Sequence, residues 1–216
     1  MKSNFKSFLA ELDTIIKRDP ATSGRLEAFL CSSGYHGILF YRLAHYLWKK
    51  NWRLSARLIS QVGRFFTGVE IHPGAQIGKN FFIDHGMGTV IGETAVIGNN
   101  VTMYHGVTLG GISCQGGKRH PTIEDNVIIG SGAQILGPIT VGKNAKVGAN
   151  ATVVKDVMSN TTVVGVAAHK TEAKKSSEFE AYGINLKVQD PYDKQIQELQ
   201  KRLKELEEKI SVANKK

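Results

Sequence analysis

The sequence predicts an α+β chain: an N-terminal α-helical segment, then a solenoid of short strands, then a C-terminal helix. Three observations carry that prediction. An aliphatic residue returns every six positions between Val69 and Met158, residues 3–66 carry apolar stripes at helical spacing, and a further stripe at spacings of three and four follows Asp190-Pro191. The expected divisions are 1–68, 69–168 and 169–216.

The helical segment comes first. Phe5, Phe8, Leu9, Leu12, Ile15 and Ile16 form one stripe over residues 3–17, as an amphipathic helix requires. Asp19-Pro20 ends it and can open the next helix, with Asp19 as N-cap and Pro20 at the first helical position. Helical patterns follow at Ala21–Leu30, Tyr35–Lys50 and Leu54–Phe66, and Gly68 closes the segment. The aromatic residues from Phe40 to Trp52 fit packing between these helices better than a membrane surface.

The solenoid rests on the series Ile71, Ile77, Ile83, Ile91, Ile97, Met103, Leu109, Ile123, Ile129, Ile135, Val141, Val147 and Val153. A helix repeats its apolar residues at three and four, and a half-buried strand at two. A period of six fits coils of short flat strands, each pointing one aliphatic side chain inward, with small residues at the corners. The series breaks twice. Ile91 comes eight positions after Ile83 and Ile123 fourteen after Leu109, so two and then eight extra residues enter. Both insertions carry His and charge, which stacking alone does not need, and loops on a rigid frame are where sites are built.

In the tail, Ile196, Leu199, Leu203, Leu206 and Ile210 recur at three and four with Glu and Lys between them. This reads as a short coiled coil or a single amphipathic helix.

Composition narrows the function classes. The net charge of +9 is concentrated in residues 1–68, with 11 basic against 4 acidic residues, while residues 69–168 balance at six each. No nucleic-acid module accompanies that excess, so it reads as solvated helix faces with some attraction for a small anion. No apolar run reaches the length of a membrane span and no signal-peptide core follows Met1. Cys31 and Cys114 lie far apart, which fits a reducing cytoplasm rather than a disulfide framework.

Asp84-His85 stands out because the repeat usually places Gly after its aliphatic residue. Imidazole, with an ordinary pKa of about 6.5, is suited to take a proton from an alcohol at neutral pH. The residue is either such a base or a hydrogen-bonding side chain at the edge of the solenoid. Glu70 precedes His85 by fifteen positions, which brings the two near one another on successive coils of roughly 18 residues. A carboxylate there would orient the ring, or Glu70 is a surface residue.

Several segments together resemble serine O-acetyltransferases, within the hexapeptide-repeat acyltransferases. They are Arg18-Asp19-Pro20-Ala21, Ile71-His72-Pro73-Gly74-Ala75, Asp84-His85-Gly86, Val90-Ile91-Gly92-Glu93-Thr94-Ala95, Val107-Thr108-Leu109-Gly110-Gly111 and Gly117-Lys118-Arg119-His120-Pro121. The resemblance covers about residues 15–168 and implies a left-handed parallel β-helix that transfers acetyl from acetyl-CoA to L-serine in cysteine biosynthesis. It implies His85 as general base with Glu70 as its partner, where the family usually has Asp. It also implies Asp19 and Asp84 on the amino group of serine, and Arg119 and His120 on its carboxylate. Gly111, Ser131 and Ala149 match positions along the CoA channel. No metal is expected. The family implies a homotrimer with sites between adjacent β-helices, cysteine as feedback inhibitor, and docking of a C-terminal isoleucine into cysteine synthase, which the ending Ala213-Asn214-Lys215-Lys216 makes doubtful.

Two rival readings differ in chemistry. One is another hexapeptide enzyme, either acetylating sugars or antibiotics or binding zinc through His85, His105 and His120. The other is an assembly scaffold without catalysis. Asp19 as a helix cap and Cys114 as a bystander complete the expectations.

Overall fold

The computed structural model describes the backbone of residues 2–165 and 191–213, with side chains over 9–165 and 196–207. Four helices open the chain: α1 (Lys2–Arg18), α2 (Arg25–Cys31), α3 (Ser33–Lys49) and α4 (Arg53–Thr67). Fourteen short strands follow and wind into a three-sided prism. One face stacks β1 (Glu70–Ile71), β4 (Val90–Ile91), β7 (Thr108–Gly110), β10 (Gln134–Leu136) and β13 (Thr152–Val153). The second stacks β2 (Gln76–Ile77), β5 (Val96–Ile97), β8 (Thr122–Ile123) and β11 (Thr140–Val141). The third stacks β3 (Phe82–Ile83), β6 (Thr102–Met103), β9 (Ile128–Ile129), β12 (Lys146–Val147) and β14 (Thr162–Val163). All pairings are parallel, as in the expected left-handed β-helix.

Register shows how the insertions are absorbed. Val90 pairs with Thr108 and Gln134 with Thr152, each 18 residues on. Glu70 instead pairs with Val90 and Thr108 with Gln134, so the first two-residue and eight-residue excesses bulge at corners while the strands stay aligned. The last coil is short: Lys146 pairs with Thr162, and Val141 bridges Val157. The inward residue after Val153 therefore comes after four positions, and the six-residue rule misses Val157 and β14.

Inside the prism Ile91, Met103, Leu109, Ile123, Ile129, Ile135 and Val141 are all at most 1% exposed. Burial of each such side chain contributes about 1.5–3 kcal/mol. At the edge between the second and third faces, Asn80, Asn100, Asn126, Asn144 and Asn160 turn the chain with φ between 54° and 59°. Asn tolerates this left-handed region, and its amide can hydrogen-bond locally. The amides of Asn80 and Asn100, Asn126 and Asn144, and Asn144 and Asn160 bond across coils at 2.9–3.1 Å.

The helices are built onto the first coil. Tyr41 Oη donates to Ala75 O at 2.7 Å and Ser60 Oγ to Ile71 O at 2.6 Å. A Cβ at Gly34 would lie 2.1 Å from Ile83 O, so only glycine lets the first turn of α3 touch the strand. A smaller cluster of Leu12, Ile15, Ala28, Tyr35 and Phe82 joins α1, α2 and α3 to β3. The chain divides into two compact units, Met1–Val166 and Ala167–Lys216, so the helices and the prism belong to one unit. In the second, α5 spans Pro191–Ala213. The expected boundary at 168/169, the polar stretch after it and the chain end at 214–216 lie outside the described residues.

One expectation is corrected. Asp19-Pro20 does not open a helix, because α2 begins at Arg25 with Gly24 at its N-cap. Asp19 instead folds its own turn: Oδ1 accepts from Ala21 N–H at 2.9 Å and Oδ2 from the Thr22 hydroxyl at 2.6 Å. A short Asx-type turn offers the carboxylate the same kind of donors as a helix start.

Candidate active site

Two groups of polar residues stand on two different edges of the prism. The first edge, between the third and first faces, carries Asp84-His85-Gly86 after β3 and His105 after β6. Ser131 follows β9 and Ala149 follows β12 on the same edge. Its ladder continues through Gly106 N–H to Met87 O, Gly132 N–H to His105 O, and Asn150 N–H to Ser131 O, at 2.8–2.9 Å.

His85 has φ +59°, a left-handed conformation unusual for a side chain with a Cβ. Three contacts hold it: Ser33 Oγ donates to His85 O at 2.5 Å, Gly86 continues the turn at φ +81°, and Gly34 lies on Ile83. The His85 ring meets His105 edge to face at 5.7 Å. A cleft of about 350 Å³ opens here, with Asp19, Thr22, Ser33, Asp84 and His85 in its wall, and Cys31 at the end of α2.

Asp19 enters this wall because Arg18 fixes the end of α1 to the prism. The Arg18 guanidinium donates to Thr102 Oγ1 at 3.0 Å and to the carbonyls of Val101, Asn100 and Asn80 at 3.1–3.4 Å. The Thr22 hydroxyl and Ala21 N–H lower the pKa of the Asp19 carboxyl below the usual range, keeping it ionised. Sequence reasoning read Arg18 only as part of a motif, since nothing in a helical stripe marks a terminal Arg as bound to a distant strand.

Glu70, on β1, places Oε2 3.2 Å from Arg64 Nη1. It does not line the cleft with His85.

The second edge, between the first and second faces, gathers His72, Glu93, Thr94 and the long loop before β8. Thr94 Oγ1 accepts from the backbone N–H groups of Arg119 and His120 at 3.0 and 3.1 Å, and lies 2.9 Å from His120 Nδ1. Thr94 N–H also points at that nitrogen, 3.2 Å away, so Nδ1 is the acceptor and the ring proton belongs on Nε2. The His120 ring packs against Gly92 and Gly111, where a Cβ would meet it. Burial, aided by Arg119, lowers the His120 pKa, so the ring is neutral at pH 7. Arg119 Nη2 holds Glu93 Oε2 at 2.7 Å, which keeps Glu93 ionised. His72 is pushed down to about 4 by burial and by the charge of Arg57, and its Nδ1 accepts from Gly74 N–H at 3.0 Å.

The structure thus brings Asp19, Asp84 and His85 together and groups Arg119, His120 and Gly111 elsewhere, a whole face away. The three His of the zinc reading are divided likewise, with His120 on the second edge. Among the described residues no group of three or more His, Cys, Asp or Glu is arranged to hold a metal ion. No described helix is long and apolar enough to cross a membrane.

Parallel coils of this register define a hexapeptide-repeat protein, and the family described as bacterial transferase hexapeptide (six repeats) matches residues 120–155. A serine acetyltransferase of Bacillus pumilus is 45% identical over 212 residues, covering 98% of this chain and 97% of its own. The crystal structure of Neisseria gonorrhoeae serine acetyltransferase in complex with serine superposes with a TM-score of 0.72 at 43% identity, over 79% of this chain and 70% of that one. A serine acetyltransferase in complex with cysteine gives 0.74 at 40% identity, over 78% and 70%. The chain belongs to the serine acetyltransferase family.

Proposed function

We propose that this chain transfers the acetyl group of acetyl-CoA to the hydroxyl of L-serine, giving O-acetyl-L-serine and CoA, with His85 as general base. The observation that carries the assignment of roles is the cleft in which the His85 imidazole shares a wall with the carboxylates of Asp19 and Asp84. An ammonium group set between those carboxylates leaves the short side chain of serine pointing at the ring. His85 takes the hydroxyl proton as the oxygen attacks the thioester carbonyl. The tetrahedral intermediate then collapses, expelling the CoA thiolate, which receives the proton from His85. Glu70 serves as the orienting carboxylate. Its bridge to Arg64 engages Oε2, and a carboxylate can accept on both oxygens.

The carboxylate of serine needs a cation, and Arg119 with the Nε2–H of His120 supplies a charged fork and a neutral donor. Both stand on the other edge. A complete site therefore takes the first edge of one copy and the second edge of the next, a head-to-tail contact that closes into a ring. Three prisms form that ring in this reading. CoA lies along the same seam, since Ser131 and Ala149 sit on the first edge and Gly111 on the second. Cysteine carries the same ammonium and carboxylate as serine, so it occupies the same cleft and inhibits.

Thiol release from acetyl-CoA, measured over a panel of amino-alcohol acceptors, tests this. His85→Ala should lose about 10²–10⁴-fold in turnover, while Cys114→Ala, on an exposed loop, keeps it. Undiminished acetylation of serine by His85→Ala refutes the mechanism, and equal losses in both variants refute direct transfer.

A further inference from the structure

We propose that α5 is a self-association helix: three copies wind in parallel into a short coiled coil that ties the ring of prisms together. The proposal rests on the ring inferred above. Ile196, Leu199, Leu203 and Leu206 are 50, 64, 59 and 56% exposed. They fall at spacings of three, four and three, and every residue between them is polar or charged. With the next apolar position, Ile210, the spacings run three, four, three and four, and that heptad repeat keeps an apolar seam against a partner only when helices supercoil around one another. A lone helix leaves this seam in water, whereas most helical stability in proteins comes from packing an amphipathic face.

The charges select the partner's direction. With Ile196 and Leu203 at a and Leu199 and Leu206 at d, Arg202 falls at g and Glu207 at the following e. In a parallel coil each g residue faces the e residue of the neighbour's next heptad, so Arg202 meets Glu207 of the next copy. An antiparallel coil sets g against g, and the g residues are Gln195, Arg202 and Lys209, none of them acidic. Arg202 currently bonds Glu198 within the helix at 3.1 Å, an exposed pair whose exchange costs little. Independently, a rotation axis gives all copies of α5 the same direction along it, and only a parallel seam satisfies that symmetry. The mixed Ile and Leu at a do not set strand number, so the ring does.

Because each site is divided between copies, α5 would hold sites assembled on dilution by raising the local concentration of chains. The full-length chain, Leu203→Asp, Arg202→Glu, Glu207→Arg and the double exchange R202E/E207R are compared by sedimentation and by activity on serial dilution. None of these residues belongs to the catalytic or binding machinery. The wild type should keep the mass of three chains and full specific activity to the lowest concentrations. Leu203→Asp should dissociate and lose activity at concentrations about tenfold or more higher, each single exchange should weaken assembly several-fold, and the double exchange should restore it. A trimer equally tight in Leu203→Asp overturns the role of α5 and leaves the ring standing. Failure of the double exchange to rescue overturns the parallel register. A wild-type chain that is monomeric overturns the three-membered ring, and one with the mass of six overturns the trimer as the final assembly.

Discussion

His72 shows how a residue of the second edge reports on folding. Burial pushes its pKa down to about 4, below the ordinary value of about 6.5 in an unfolded chain. Between those values the unfolded state binds the extra proton, so stability is lost as pH falls from about 6.5 to about 4 and is constant below both. The side chain is only partly buried, so solvent screening reduces the effect to about 1–2 kcal/mol rather than the full linkage value. Thermal melts of wild type and His72→Asn across that range should show the wild type losing its advantage on acidification; parallel curves would remove His72 from the account. At this scale the sequence was partly legible. His85 and Asp84 were visible as breaks in the repeat, and Arg119-His120 as charge in an insertion. Thr94 was not: one hydroxyl bonding two backbone N–H groups and an imidazole leaves no mark on hydropathy.

The connection between α1 and α2 is the element on which the cleft depends. Arg18 bonds one hydroxyl and three carbonyls of the prism, and Asp19 is the next residue. Removal of that clamp frees the Asp19 turn without touching His85. Arg18→Ala is expected to raise KM for serine about tenfold with kcat nearly kept. Arg18→Lys should not restore KM, because a single ammonium cannot span the same acceptors. Equal falls in kcat and kcat/KM would place Arg18 elsewhere in the mechanism. The helices themselves were read to within a few residues, apart from the start of α2. Asp-Pro is a strong helix-start signal, yet the same side chain closes an isolated turn, and tertiary contacts from Arg18 decide between them.

At the scale of the molecule, a six-residue period sustained over two interruptions specified the prism, because a register slip would put every aliphatic side chain on the wrong side of a corner. The short last coil escaped, since its closing residues follow no fixed interval. The linear order of residues did not reveal that the polar groups divide between two edges of the prism. Residue spacing across successive coils sets Glu70 near His85 and leaves unmarked its bridge to Arg64 through Oε2, and the proposed cation for the substrate carboxylate stands beyond an entire face.

The division of polar residues between two edges carries a genetic consequence. A His85→Ala chain and an Arg119→Ala chain, each inert alone, should complement when unfolded together and refolded as mixed rings, because some seams then pair two intact halves. Random assortment leaves one quarter of seams sound by the rules of probability, and activity should recover toward about that fraction when subunits exchange freely. No recovery in demonstrably mixed assemblies would mean that each chain works alone.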